Sequence, residues 1–445
     1  MMRKVKLLAC LAGVAVPLLL TAAMPAASDE QFKFVKGIDV GPITSFDISF
    51  DDANIHTLAQ SHRDDTANCG SDPNTRGGVD LIDTNTNKLI KTLCGFHGGT
   101  HEHGPNGNII VDQKQVWAGD GLAAGGTSTL KAIDIAADGS PTECPGPHCH
   151  VMNTGGQGRT DELCEAVSRK IVMAANDRDA DLFVTFWDTE SYTKLGTLSF
   201  KTASKDNKGI VAAGGIEQCK FDPRTQKFLL AVPQPASQPN GGVVVTISPT
   251  TFKVEDVFTI DGSRTGCTQG AHGLALGPDH QVLLGCGGPP AGTDNSVIID
   301  DRDGHIIVFL PGVTSDEVWY NPGDNHYFLV PTNPAGTVGT LAPVDAVTGH
   351  VDVMATANGS SRVVAADMLK NQVYVVLPGP DDVASGGSGL CPNSANGCIG
   401  VYTAMNDDRC LAAGMPVLDH DDGDDPVFMR PPCPQNGDRR ADSGR

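Results

Sequence analysis

The segment Gly78-Val-Asp-Leu-Ile-Asp83, followed by Lys88-Leu-Ile-Lys-Thr-Leu93, holds two apolar strands around a turn rich in Asp, Asn and Thr. This pattern returns six more times along the chain. The further copies lie at Leu130 to Ile135, Leu182 to Asp188, Val243 to Ser248, Val297 to Asp301, Leu341 to Asp345 and Ile399 to Thr403. Their turn positions, 83, 134, 188, 248, 301, 345 and 403, lie 51, 54, 60, 53, 44 and 58 residues apart. Seven copies at this spacing predict an all-β fold, a seven-bladed β-propeller with four-stranded blades.

A second strand pair precedes each copy and supplies the other half of a blade. It consists of an apolar strand, a turn at Asp, Pro or Gly, and another apolar strand. Clear examples are Phe46-Asp-Ile-Ser-Phe-Asp51, Cys219-Lys-Phe-Asp-Pro223, Leu274-Ala-Leu-Gly-Pro278 and Val318-Trp-Tyr-Asn-Pro322. The strand before the first repeat, Phe34 to Val40, is predicted to complete the last blade, because closing the ring removes an exposed sheet edge.

Composition agrees with this fold and limits the partners. The 445 residues include 52 Gly and 29 Pro, which disfavour long helices. The chain carries 53 acidic and 32 basic residues and a formal net charge of -21, so a phosphate backbone would be repelled and nucleic acid is excluded as a partner. We expect a monomer whose partner is a small-molecule ligand or a protein.

The N-terminus predicts export. Arg3, Lys4 and Lys6 precede an apolar run from Leu7 to Leu20, and small residues follow from Thr21 to Ala27, as in a secretory signal peptide. The apolar run is too short to span a bilayer comfortably, and the mature chain is expected to lack a transmembrane segment. We therefore divide the chain into a signal peptide at 1–27, a propeller at 28–410 and an acidic, partly disordered tail at 411–445, in a periplasmic or secreted protein.

The cysteines favour disulfides. Of 13 Cys, Cys10 leaves with the signal peptide, and an even number in an exported chain suggests pairing. No CxxC motif supports a thiolate metal site. The loop from Cys144 to Cys149, flanked by His148 and His150, favours a short disulfide over a copper site. Sequence alone leaves connectivity open, but local pairing is plausible for Cys69–Cys94, Cys144–Cys149, Cys164–Cys219, Cys267–Cys286, Cys391–Cys398 and Cys410–Cys433.

Three short phrases carry a resemblance to known propellers. They are Ala271-His-Gly-Leu-Ala-Leu-Gly-Pro-Asp279, Gly104-Pro-Asn-Gly107 and Val79-Asp-Leu-Ile-Asp-Thr84. Over about residues 35–405 the chain resembles the broad class of seven-bladed propellers that contains YVTN-repeat, virginiamycin B lyase-like and gluconolactonase-like proteins. The lyase-like members imply a metal held by His and Glu side chains in the channel, and only His272 matches their local motif. Phe46 argues against the Glu, Asn and Asp set of the gluconolactonase-like members.

The residues ahead of each inner strand should converge on the central channel. The repeat assigns Phe46, Gly107, Glu162, Glu217, His272, Asp316 and Arg362 to these places. A loop just upstream of Gly107 adds His97, His101 and His103 to the same mouth. Imidazole and carboxylate groups around one cavity are suitable ligands for a divalent metal ion. We expect His103, Glu162, Glu217 and His272 as metal ligands, with His97, His101 and Asp316 as possible additions.

Two functions compete on this evidence. The first is an exported metal-dependent propeller enzyme, a lyase or hydrolase acting on a small molecule at the channel mouth, with Glu162 or Asp161 as base and Arg362 holding an anionic substrate group. The second is a non-catalytic propeller scaffold that binds a protein or ligand on one face. The His-rich loop and acidic ring favour the enzyme. The absence of a Gly-x-Ser-x-Gly motif or any other compact catalytic signature favours the scaffold.

Overall fold

A computed structural model describes residues 31–405, with gaps at 100–101, 122–125, 136–143, 145, 288–294, 332–338, 358–360, 380–388 and 394. The described strands form seven antiparallel four-stranded sheets, which confirms the predicted propeller. The proposed signal peptide, the acidic tail, Cys410 and Cys433 lie outside the described residues. Within them, no helix is long and apolar enough to cross a membrane.

The N-terminal strand β1 spans Phe32–Ile38, and the first three blades follow it. Blade 1 contains β2 (Phe46–Asp52), β3 (Thr57–His62), β4 (Gly77–Asp83) and β5 (Lys88–Phe96). Blade 2 contains β6 (Asn108–Val111), β7 (Gln115–Asp120), β8 (Thr129–Asp134) and β9 (Cys149–Asn153). Blade 3 contains β10 (Leu163–Ala166), β11 (Ile171–Asn176), β12 (Phe183–Asp188) and β13 (Lys194–Ser199). A single helical turn, α1 (Thr66–Cys69), lies between β3 and β4, and a 3-10 turn spans Val167–Arg169.

The other blades repeat this order. Blade 4 contains β14 (Cys219–Asp222), β15 (Lys227–Pro233), β16 (Gly241–Ile247) and β17 (Val254–Asp261), followed by the short helix α2 (Gly262–Thr265). Blade 5 contains β18 (Ala271–Leu276), β19 (Gln281–Cys286), β20 (Ser296–Asp300) and β21 (Ile306–Leu310). Blade 6 contains β22 (Val318–Asn321), β23 (His326–Leu329), β24 (Gly339–Asp345) and β25 (Ala355–Ala357).

Blade 7 joins the two ends of the ring. It contains β26 (Val364–Asp367), β27 (Gln372–Pro378) and β28 (Gly397–Ala404), and β1 pairs with β28 as its outermost strand. The innermost strands β2, β6, β10, β14, β18, β22 and β26 each contact the next around a closed circle. The starts of these seven strands therefore surround one central channel.

Aspartates fix the turn after the third strand in several blades. In each case Oδ1 accepts the backbone N–H groups of the residues two and three positions further on. The two distances are 2.7 and 3.2 Å for Asp83, 3.1 and 2.7 Å for Asp188, and 3.0 and 2.8 Å for Asp345. An Asp side chain that bonds its own following backbone is a strong local turn signal. This is the physical basis of the repeat in the sequence.

Five disulfides connect the described cysteines. They are Cys69–Cys94, Cys144–Cys149, Cys164–Cys219, Cys267–Cys286 and Cys391–Cys398, which are five of the six suggested pairs. Cys164–Cys219 joins β10 to β14, with Cα atoms 5.8 Å apart, and so links the inner strands of adjacent blades. Five disulfides are compatible with an exported protein.

Replacing both Cys164 and Cys219 with Ala is expected to lower the free energy of unfolding by about 2–4 kcal/mol, because the bond closes a loop of 55 residues in the unfolded chain. The matched control replaces Cys391 and Cys398, whose separation is only 7 residues. Loop entropy predicts a loss about 2 kcal/mol smaller for the control. Urea unfolding without reductant measures both values, and equal losses would contradict the loop-closure explanation.

His62, buried at the end of β3, has both ring nitrogens beside oxygen atoms. Nδ1 lies 3.1 Å from Asp80 Oδ2 and 3.7 Å from Asp65 Oδ2, and Nε2 lies 2.9 Å from the carbonyl oxygen of Pro42. In its protonated form the ring donates from both nitrogens, to Asp80 and to the carbonyl oxygen of Pro42. Burial alone would lower the pKa of His62. The hydrogen bond to Asp80 and the negative charge of Asp80, followed by Asp65 and Pro42, together raise the pKa above its usual value.

This histidine makes stability depend on pH. Because its pKa is higher in the folded state, its contribution is complete below pH about 6.5 and is lost as the pH rises through the raised pKa. We expect His62→Gln to reduce the free energy of unfolding more at pH 6 than at pH 9. Urea titrations of both proteins at the two pH values measure this, and a pH-independent difference would show that His62 is neutral in the fold.

Candidate functional site

The residues that precede the inner strands meet at one end of the channel. Asp161 and Glu162 precede β10, Glu217 precedes β14, and Asp316 and Glu317 precede β22. The N–H groups of Asp161 and Glu217 extend the pairing of their own blades by donating to the carbonyls of Ala175 and Ala231 at 2.8 and 2.9 Å. The N–H group of Glu317 donates to the carbonyl of Arg362, ahead of blade 7, at 3.1 Å. We name the polar side chains at this end the channel cluster. Its members are Asp47, Arg63, Arg159, Asp161, Glu162, Asp177, Glu217, His272, Asp316, Glu317 and Arg362.

Two carboxyl groups of the channel cluster form a buried pair. Glu162 and Glu317 are both buried, and Glu162 donates a hydrogen bond to Glu317. Burial, with the negative charge of Glu317 next, raises the pKa of Glu162 well above its usual range. Burial also raises the pKa of Glu317 to about 8, against the lowering effect of the hydrogen bond from Glu162. Because both pKa values are raised, this buried pair keeps its protons to a higher pH than ordinary carboxyl groups do.

His272 on β18 lies between two further carboxylates. Its Nδ1 is 3.6 Å from Glu217 Oε1 and 3.6 Å from Asp316 Oδ1, which is too long for a hydrogen bond in either case. Burial, and after it the charges of Asp177 and Asp316, raises the pKa of Glu217 well above its usual range. The side chains of His272 and Asp316 are 22% and 38% exposed, so a ligand would reach the channel cluster from their side.

Arginines neutralise part of the acidic cluster. Arg159 binds Asp177 through Nε and Nη2 at 2.9 Å each and also contacts Asp161. Burial and the charge of Asp161 nevertheless raise the pKa of Asp177 to about 7, against the lowering effect of Arg159. Arg63 is fully buried, contacts Asp47 and donates to the carbonyl of Phe46 at 2.8 Å. Burial and the neighbouring arginines lower the pKa of Arg63.

Arg362 lies at the seam between blades 7 and 1. Its Nη2 donates to the carbonyl of Phe46 at 3.0 Å, and the guanidinium carbon lies 5.1 Å from the centre of the Phe46 ring. Its Nε is buried and has no hydrogen-bond partner in the described part of the chain. This nitrogen is a donor that a ligand could use.

The channel cluster contains more acid than base. It holds seven carboxyl groups and three guanidinium groups, and Asp161 Oδ1 and Glu317 Oε2 are buried without a hydrogen bond from any described residue. Like charges this close cannot all ionise in a low-dielectric site unless protons or a cation balance them. Carboxylate oxygens and an imidazole nitrogen are donor types that suit a divalent cation.

The structure groups the predicted ligands only in part. Glu217 and His272 are neighbours, and Asp316 joins them, whereas Glu162 pairs with Glu317 instead. Across the described ranges, no three of His103, Glu162, Glu217 and His272 bring their donor atoms within 4.8 Å of one another. The two groups of described residues that do meet this distance are His62, Asp65 and Asp80, and Asp300, Asp303 and His305.

The histidines of the upstream loop lie in a different setting. His97 Nδ1 is 2.9 Å from Asp120 Oδ2, and Lys131 Nζ is 2.6 Å from the same oxygen. His103 is half-buried, and a methyl group at Gly99 would lie 3.3 Å from its Nδ1. His101 lies outside the described residues. His97 is thus bound to Asp120 at the end of β7, whose carboxylate is shared with the buried Lys131.

Sequence reasoning missed Glu317, Asp177, Arg159, Arg63 and Asp47. Arg63 and Asp177 directly follow β3 and β11, the second strands of their blades. In an antiparallel hairpin, the residue after the second strand lies beside the residue before the first, as the pairing of Phe46 with His62 shows. Extending each predicted hairpin by one residue would have added both charges to the channel mouth.

Aromatic side chains fill the channel beside the cluster. Lys220 on β14 places its ammonium 4.8 Å from the Trp319 ring and 5.8 Å from the Phe50 ring, and these two rings pack edge to face at 5.8 Å. Trp319 is 7% exposed and Phe50 is 6% exposed. These contacts close the inner part of the channel and leave His272 and Asp316 at its open side.

The similarity to known proteins is a similarity of fold and not of sequence. No family model and no curated protein matches the sequence. A chain in a crystal structure of a mitotic checkpoint complex is similar, with a TM-score of 0.53 and 9% identity over 89% of this chain and 98% of that one. A chain of Kuenenia stuttgartiensis hydrazine synthase aligns with a TM-score of 0.45 and 13% identity, over 65% of this chain and 80% of that one. At 9% identity, the first likeness supports the seven-bladed propeller fold and nothing finer.

Proposed function

We propose that this protein is an exported propeller enzyme that binds a divalent cation at the open side of the channel and acts on a small molecule as a lyase or hydrolase. The observation that carries the proposal is the meeting of a hydrogen-bonded acid pair, Glu162 and Glu317, with His272 and its flanking carboxylates in one channel. Four blades supply these groups, so the ring holds them in a fixed arrangement.

The donor set suits a cation in its chemistry. His272, Glu217 and Asp316 would hold it, with His103 as a further ligand expected from the sequence. Glu162, also expected as a ligand, pairs with Glu317 and is assigned to proton transfer. Because the three neighbouring donors do not form a group within 4.8 Å among the described residues, a side chain must turn inward, and the 38% exposed Asp316 has the room to do so. A bound divalent cation would polarise a substrate oxygen or activate water.

The acid pair supplies the proton transfer. Glu162 would act as general acid, and Glu317, whose Oε2 is buried without a hydrogen bond from any described residue, would act as general base in its ionised form. Asp161, the alternative base, is engaged by Arg159. Arg362 would orient an anionic group of the substrate through Nε.

The proton-transfer role is tested with metal-loaded protein and a panel of lactones and cyclic esters. Any hydrolysis or elimination found should fall by about 100-fold or more in Glu317→Gln, while metal content stays at the wild-type value. Lys253→Gln, which removes an exposed cation far along blade 4, serves as the control. Unchanged activity in Glu317→Gln would remove the acid pair from the mechanism.

An apolar outer edge favours the second candidate function, a non-catalytic scaffold. Ile307 and Phe309 on β21, the outermost strand of blade 5, are 40% and 50% exposed and lie on one face of the strand. Such a patch is a typical protein contact. The two candidates differ in metal content, since a scaffold needs no cation in its channel.

A further inference from the structure

A second cavity lies between blades 2 and 3 and borders the channel cluster, because Arg178 in its lining contacts Asp177 of that cluster. Its volume is about 840 Å³, within the range that holds small-molecule ligands. One wall is the loop 154–158 after β9, and another is the connection 178–181 between β11 and β12. The lining also includes Phe183 on β12, and Thr197 and Ser199 on β13.

The loop wall is held rigidly. Oδ1 of Asp179 accepts the backbone N–H groups of Gln157 and Gly158 at 2.5 and 3.1 Å. Gly156 lies so close to Asp179 that an added methyl group would sit 2.3 Å from Oδ2, so a larger residue would push the loop away. The cavity is therefore a built feature of the fold.

The acids of the cavity wall are largely engaged. Asp179 is occupied by the two backbone N–H groups and by Asn176 Nδ2 at 3.2 Å, and Asp181 pairs with Lys201. Glu102, the third carboxylate of the lining, is exposed to solvent. Lys201 thus balances the charge of Asp181, and neutral donors stabilise the charge of Asp179.

The cations of the wall keep donors available. Arg178 is 46% exposed and places Nε 3.3 Å from Asp177 Oδ2, while its two terminal nitrogens have no hydrogen-bond partner among the residues that the structure describes. Lys194 Nζ donates to the carbonyl of Thr154 at 3.0 Å and lies 5.7 Å from the centre of the Trp187 ring, which leaves two of its N–H groups without a partner in the described ranges. Arg178 is held through Nε and Lys194 through Nζ, and both residues line the cavity.

An aromatic and hydroxyl wall accompanies the two cations. Phe183 pairs directly with Ser199 across β12 and β13, and Thr197 lies two residues before Ser199, so the three side chains share one face of the sheet. Phe183 is half-buried, and Thr197 and Ser199 are exposed. A flat apolar surface beside hydroxyl groups suits a ring that carries hydroxyls of its own.

We propose that this cavity binds a sugar acid or sugar phosphate. The anionic group is taken by Arg178 and Lys194, and the ring lies on Phe183 with its hydroxyls toward Thr197 and Ser199. Guanidinium and ammonium groups are the usual partners of carboxylate and phosphate oxygens. The site needs no metal in the channel and stands independently of the function proposed above.

Isothermal titration of the mature protein with D-glucuronate, D-glucose 6-phosphate and uncharged D-glucose tests this site. At least one charged probe should bind, about tenfold or more tighter than glucose, and the stronger of the two identifies the anionic group. Arg178→Gln and Lys194→Gln should each weaken that probe by about tenfold, since each removes a charged hydrogen bond. Lys253→Gln, which removes an exposed lysine paired with Asp206 at 2.8 Å on blade 4, should bind as the wild type does.

Two results would overturn the proposal. One is that neither charged probe binds better than glucose. The other is that Arg178→Gln and Lys194→Gln bind the charged probe with wild-type affinity, which would place any binding elsewhere on the surface.

Discussion

Arg159→Ala is expected to lower the free energy of unfolding by about 3–5 kcal/mol, because it removes the guanidinium that binds two buried carboxylates. Arg159 is 7% exposed and binds Asp177 through two nitrogens, and it also contacts Asp161. Both acids are buried. Denaturant unfolding followed by tryptophan fluorescence measures the loss.

Arg178→Ala is the matched control for this prediction. Arg178 also contacts Asp177, at 3.3 Å, but its side chain is 46% exposed. An exposed ion pair contributes little, so the loss should be about 1 kcal/mol or less. If both variants lose the same free energy of unfolding, the channel cluster is solvated and Arg159 does not balance buried charge.

His272→Ala is expected to weaken divalent metal binding by at least about tenfold, because it removes the imidazole between Glu217 and Asp316. Titration with Mn²⁺ and with Zn²⁺, followed by metal analysis after gel filtration, measures the effect. His148→Ala is the control. Its Nδ1 also lies beside a carboxylate, 3.3 Å from Asp134 Oδ2, but on the exposed edge of blade 2. Equal metal content in the two variants would contradict a site at His272.

The fold was predictable because its signals are local. Each turn aspartate, such as Asp83 or Asp345, bonds its own following backbone, so the blade repeat is present in the sequence itself. Ring closure followed from the need to cover a sheet edge, and the observed strand β1 lies within two residues of the expected one. Pairing of nearby cysteines also needed only short-range reasoning.

The site was predictable in outline and not in detail. The prediction placed one residue of each blade at the channel mouth. Three of these residues, His272, Glu217 and Asp316, are neighbours in the structure. It could not choose between Asp316 and Glu317, because successive residues of a strand point to opposite sides and strand starts are uncertain by a residue or two. Glu317 is the residue that pairs with Glu162.

The remaining errors come from contacts between distant segments. Arg159 precedes Asp161 by two residues, and its role depends on Asp177, which reaches the channel from the far end of β11. His97 shares a loop with His103, and its partner Asp120 comes from β7 in the next blade. Such partners are set by three-dimensional packing, which the spacing of residue types in one segment does not record.

Metal stoichiometry of the purified mature protein tests the central proposal most directly. The protein is loaded with Mn²⁺ or Zn²⁺, freed of excess ion by gel filtration and analysed for bound metal per chain. Our account predicts about one equivalent in the wild type, held by the donors around His272. Less than about 0.2 equivalents of either ion after loading would contradict it, because tight binding at one site fills most chains.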